Sequence, residues 1–224
     1  MNHDEIDLTK YQEEKVVINL VKANAFSLLF FAMLFVVFAV PFYFIHGFNN
    51  SSTPTATHEV TMMDGADCSC MSVPEPPKQK NIFFEIIITF LTIIVITALI
   101  VFVHEGIHAV CFAMFNEHRF KTVKIGILPW RKLFTPYCHC SELLKIKHYM
   151  IACFMPMFIM GLIPAIIALF TGDRTLLIVG LILTVTGAGD FLFLVKLRKE
   201  KGDDLVYDLP DEAGFVIYRK LENI

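Results

Sequence analysis

Apolar residues in this chain are gathered into four long runs, near 25 to 45, 82 to 103, 149 to 170 and 175 to 197, each almost free of charge. Each run reaches the ~20 residues that a helix needs to cross a hydrocarbon core of ~30 Å. The pattern predicts an all-α integral membrane protein with four transmembrane helices. The first run follows a charged lead of about 24 residues. It is longer than the ~7–15 residues of a signal-peptide core and reads as a retained span.

The polar segments between the runs set the orientation. The segment from Asn116 to Lys147 carries Arg119, Lys121, Lys124, Arg131, Lys132, Lys145 and Lys147, and the fourth run is followed by Arg198, Lys199 and Lys201. Gly47 to Pro77 has no Lys or Arg, and the turn between the last two runs offers only Arg174. Cytoplasmic loops carry the positive excess, so both termini and the 116–147 loop are expected in the cytoplasm and the 47–80 loop outside. The expected organisation is a cytoplasmic segment 1–24, a membrane domain 25–197 and a cytoplasmic tail 198–224. The outer loop is rich in turn residues and has no hydrophobic period. In the inner loop, Lys121 to Leu128 alternates partly before Pro129 and Pro136, so a short cytoplasmic hairpin between spans two and three is expected. The tail is polar with scattered aromatics, and no internal repeat is visible.

Composition agrees with a multi-pass protein of a cytoplasmic membrane. The 224 residues are 55% hydrophobic and 18% charged, against roughly 45–50% and 25% in a soluble domain. The net charge is −3 with no long basic run, so no nucleic-acid partner is expected. The lipid bilayer is the expected partner; oligomeric state is not readable. Cys68, Cys70, Cys111, Cys138, Cys140 and Cys153 are spread in a way that spells no disulfide framework.

The second run continues without a helix breaker through His104-Glu105-Gly106-Ile107-His108 to Phe115. Histidines at i and i+4 share a helix face and can hold one ion, with the intervening glutamate near a water on that ion. This spacing suits Zn²⁺ hydrolysis. Ionisable groups inside an apolar helix cost roughly 2.5–3.5 kcal/mol each at the bilayer centre, so a compensating ligand or cavity is required. The plain alternative is a helix leaving the membrane at its headgroup layer. Against it, seven apolar residues, Ala109 to Phe115, follow the motif, burying His108 by roughly 10 Å at 1.5 Å per residue.

A catalytic zinc takes a third protein ligand and keeps one position for water. Asp190 is the only acidic residue of the fourth run, follows Thr186-Gly-Ala-Gly189, and lies seven residues from the cytoplasmic edge at Leu197, the same depth as His108. Its plain alternative is a hydrogen bond between helices. His139, within Tyr137-Cys-His-Cys-Ser-Glu142, is the other candidate. Pro156 and Pro164 should kink or loosen span three, and Gly161 gives it a small face.

With His104-Glu105-Gly-Ile-His108 and, about eighty residues later, Gly189-Asp190, the chain resembles the "putative zincin peptidase" family of small bacterial multi-pass membrane proteins, itself similar to site-2 proteases. The resemblance runs from about Val103 to Tyr218 and includes Thr135 to Glu142. It implies His104, His108 and Asp190 as zinc ligands and Glu105 as catalytic base. The expected function is an intramembrane metalloprotease that hydrolyses membrane-protein or membrane-associated peptide substrates with a zinc-bound water activated by Glu105. A non-catalytic zinc protein with a structural or sensing role is the alternative, and a cation transporter a third.

Overall fold

The computed structural model describes residues 7–18, 20–47, 81–130, 133–210, 212 and 214–221. The expected outer loop beyond Gly47, with Cys68 and Cys70, lies outside the described residues, as do Arg131 and Lys132. Residues 1–47 and 98–224 form one compact unit, and 48–97 a second, of which residues 81–97 are described.

Leu, Ile, Phe and Val on every side of a helix, rather than along one stripe, suit a helix whose solvent is hydrocarbon. That pattern builds α1 (Leu20–His46) and α2 (Ile82–Phe115). Among the described residues three helical stretches are long and apolar enough to cross a membrane: Ala25–His46, Ile82–Phe115 and Ile146–Thr171. A fourth is completed if α5 (Arg174–Thr186) and α6 (Ala188–Leu197), which meet at a 53° bend, are taken together. The 34 residues of α2 exceed the ~20 needed to cross a ~30 Å core, and His108 lies one to two turns before the helix end at Phe115.

The third stretch is three pieces: α3 (Ile146–Pro156), a π-helical segment Met157–Leu162, and α4 (Ile163–Thr171). Pro156 and Pro164 bracket the π segment, as expected where missing N–H donors interrupt the i→i−4 ladder. Gly161 lets this segment press on α5. A Cβ there would lie 2.5 Å from the Thr184 backbone nitrogen and 2.6 Å from its Cα. Gly172, at φ 74°, ends α4, and the Asp173 carboxylate accepts the Leu176 N–H at 3.0 Å to start α5.

The all-α expectation is corrected by two sheets. The anticipated hairpin is present, as β2 (Val123–Trp130) antiparallel to β3 (Leu133–Cys140). The second sheet was not anticipated. The charged lead and the polar tail, to which no strand was assigned above, supply three of its four strands, β1 (Tyr11–Val17), β5 (Leu205–Asp208) and β6 (Gly214–Lys220). With β4 (Leu144–Lys145) they make an antiparallel sheet of order β1-β6-β5-β4. Gly214 to Tyr218 of the central strand are all buried. The edge strand β1 instead exposes Gln12, Glu13, Glu14 and Lys15, charges that discourage pairing with a further chain.

Two buried clusters place the functional residues. Phe112 of α2, Ile146, Tyr149, Ala152 and Cys153 of α3, Leu197 of α6, and Val206, Phe215 and Ile217 of the sheet form one. Phe30, Leu34, Phe38 and Phe42 of α1 pack with Met157, Ala165, Ala168, Leu177, Leu181 and Ala188 to form the other. The first cluster therefore fixes the end of α2 against α3, α6 and the sheet.

Candidate metal centre

One turn apart on α2, the His104 and His108 rings lie 5.0 Å apart between centroids. Asp190 comes to them from the first turn of α6. Its Oδ2 is 3.0 Å from His104 Nε2 and 3.3 Å from His108 Nε2. The bend between α5 and α6 turns this carboxylate towards α2. At the bend stands Gly187, where a Cβ would come 2.9 Å from the Cβ of Met157. Gly189, two residues further on, has nothing within 4 Å of its Cβ position. Phe191 anchors the start of α6 by stacking on Phe30 of α1 at 4.7 Å.

The three side chains offer ligand atoms that all lie within 4.8 Å of one another. A tetrahedral zinc with bonds of ~2.0–2.1 Å holds its ligand atoms ~3.3 Å apart, which matches the two separations to Asp190. The His108 ring is also oriented from behind. Its Nδ1–H donates to the Ala152 carbonyl at 2.9 Å, which leaves Nε2 as the ring nitrogen that faces Asp190. A backbone carbonyl behind a ligating imidazole is the usual way such rings are fixed. The residues present therefore fit a zinc ion with one position left over. Glu105 is half-buried and within electrostatic reach of His104, His108 and Asp190.

His139 is placed elsewhere. Its Nδ1–H donates to Asp208 Oδ2 at 3.1 Å, and the Tyr149 hydroxyl donates to the other oxygen of the same carboxylate at 3.1 Å. Burial pushes the Asp208 carboxyl up from its ordinary range, against the opposing pull of His139 and Tyr149. This Asp208–His139–Tyr149 network was missed from the sequence. Only the two ends of a β3–β5 approach reveal it, and no local pattern marks Asp208. The Cys138 and Cys140 thiols flanking His139 are pushed up by burial, which disfavours them as thiolate ligands. His118 pairs with Glu142 at 2.7 Å and His148 stacks on Phe115 at 4.6 Å. The four cysteines among the described residues are free.

Residues 97–205 match a family model described as "Putative zincin peptidase". The matched stretch contains His104, Glu105, His108, His139 and Asp190, and it supports the zincin peptidase family for this chain. That family implies Zn²⁺, with which the His104–His108–Asp190 group is compatible. The zincin match stops before Asp208, most of β5 and all of β6. No curated protein and no solved structure matches the chain.

Proposed function

We propose that this zincin-like protein is an intramembrane zinc peptidase of bacterial cytoplasmic membranes, related to site-2 proteases, that cleaves membrane-protein or membrane-associated peptide substrates. One observation carries the reading. With Nδ1–H of His108 committed to Ala152, its Nε2 is turned to Asp190 Oδ2 at 3.3 Å, the same oxygen that lies 3.0 Å from His104 Nε2. Two imidazoles and a carboxylate gathered this closely need a shared positive charge, a proton or a metal ion, to lie together. A mostly buried His₂-carboxylate set of this size suits a zinc ion, and an open fourth position suits hydrolysis.

Bound there, zinc would lower the pKa of a water ligand towards ~7 and polarise a substrate carbonyl. His104, His108 and Asp190 hold the ion. Glu105, beside the first ligand, takes up the proton of the attacking water and later delivers one to the leaving amine.

The sheet supports the expected topology. It joins a strand before α1, one between α2 and α3, and two after α6. A hydrogen-bonded sheet cannot straddle a bilayer. Those segments therefore share one face, which the Lys and Arg of the inner loop assign to the cytoplasm. The bent α5–α6 pair then counts as a full crossing, and the membrane domain 25–197 contains four.

The test is zinc content of purified protein together with profiling of new N termini in membranes of expressing cells. Wild type should hold about one zinc, and His104→Ala, His108→Ala and Asp190→Ala should hold none. Glu105→Gln should keep the metal and lose the new N termini. If Glu105→Gln and wild type yield identical termini, the peptidase reading fails and a structural or sensing role for the zinc takes its place.

A further inference from the structure

Pro156 sits four residues after Ala152 in α3, the position whose N–H would normally close the helical hydrogen bond onto the Ala152 carbonyl. Proline has no N–H to give. The next donor along the chain, Met157 N–H, goes to Phe154 O instead. Ala152 is fully buried, so water is not at hand to replace the missing donor. The carbonyl would be an orphan acceptor inside the protein, at a cost of about 1–3 kcal/mol. His108 Nδ1 occupies it at 2.9 Å.

We infer that Pro156 is a positioning residue for the metal centre: by withholding its N–H it reserves the Ala152 carbonyl for His108 and so fixes which ring nitrogen faces Asp190. The inference rests on the zinc reading above. A proline inside this span has more often a packing role, and its ring does help break α3 into the π segment that follows. The geometry adds something a kink alone does not require, because the freed carbonyl is the one that meets the ligand from α2. An alanine at 156 would restore a donor one helical turn from Ala152. That donor would compete with His108 Nδ1–H, loosening the ring and letting the other tautomer form. Loss of such a supporting partner typically weakens metal binding by ~10–100-fold.

The experiment compares the full-length protein in detergent with three variants by chelator competition for zinc. These are Pro156→Ala, Pro164→Ala as a control for losing a proline in the same span, and the α-hydroxy analogue of alanine at position 156, which lacks both the ring and the N–H. Pro156→Ala should bind zinc ~10–100-fold more weakly. Pro164→Ala and the α-hydroxy analogue should stay close to wild type. Solvent exchange of the His108 Nδ1–H, assigned by its loss in His108→Ala, should be slow in wild type and in the analogue and fast in Pro156→Ala. Wild-type affinity and exchange in Pro156→Ala would overturn the inference, and so would equal weakening in Pro156→Ala and the analogue, which would assign the effect to the ring. If wild type binds no zinc, the peptidase reading fails separately. Exchange of the His108 proton then judges Pro156 by itself, with equal rates in wild type and Pro156→Ala overturning the assignment.

Discussion

Adding one methyl group to Gly161 should disturb the metal centre, although Gly161 is not part of it. A Cβ at Gly161 would lie 2.5 and 2.6 Å from the Thr184 nitrogen and Cα, backbone atoms that cannot rotate away. Ordinary contact begins near ~3.4 Å, so the π segment and α5 must part by nearly ~1 Å, and overpacking of that kind costs about 1–3 kcal/mol or more. Thr184 is fully buried, and α5 leads directly through Gly187 into the turn of α6 that bears Asp190. The displacement is thus delivered to the carboxylate facing both histidines. Gly161→Ala should lower the thermal midpoint by roughly 2–4 °C for each kcal/mol lost and weaken zinc binding. Gly189→Ala is the counterpart, since nothing lies within 4 Å of its Cβ position. It should stabilise by about 0.5–1 kcal/mol through the lower backbone entropy of the unfolded chain. Thermal unfolding in detergent and zinc competition on the two variants read both effects. A Gly161→Ala protein with wild-type midpoint and wild-type affinity would refute the reasoning.

Zinc should be lost from Asp190→Ala and retained by His139→Ala, as metal analysis of the purified proteins would show; zinc lost only from the His139 variant would reverse the ligand assignment. For topology, a membrane-impermeant thiol reagent on intact cells should label Cys68 and Cys70, and labelling only after permeabilisation would contradict the external loop. Asp208 offers a pH test. Its folded carboxyl is held above the unfolded value of ~3.9 by burial, so the native state binds the extra proton and stability falls as pH rises from there through the raised folded value. Asp208→Asn should flatten that slope in a midpoint-against-pH series, and an unchanged slope would argue against it.

The helices and the histidine pair were legible because both are local. Uninterrupted apolar runs need only length, and the spacing of His104 and His108 follows from one helical turn. Asp190 was legible for a different reason: a lone carboxylate in an apolar run needs a partner. The strands of the four-stranded sheet were hidden because each depends on a remote mate. Tyr11 faces Lys220 and Leu144 faces Val206, and a lead such as Tyr-Gln-Glu-Glu-Lys reads as solvated until its neighbour is known. The 53° break inside the fourth run was hidden too, since Gly187 in an apolar stretch looks like a packing residue.

The sheet also sets an order of events during synthesis. A chain emerges N-terminus first, and pairing between distant segments must wait for both. β1 precedes α1, yet its partner β6 follows α6. Until then β1 is a loose end, and its exposed charges keep it from pairing with other chains. Asp190 arrives nearly as late, on the final helix, and the cluster that fixes α2 against α3 and α6 is completed by Phe215 and Ile217 of β6. The centre therefore waits for α6 and β6 to be made, so a chain still on the ribosome short of α6 carries the histidine pair without the carboxylate that completes it.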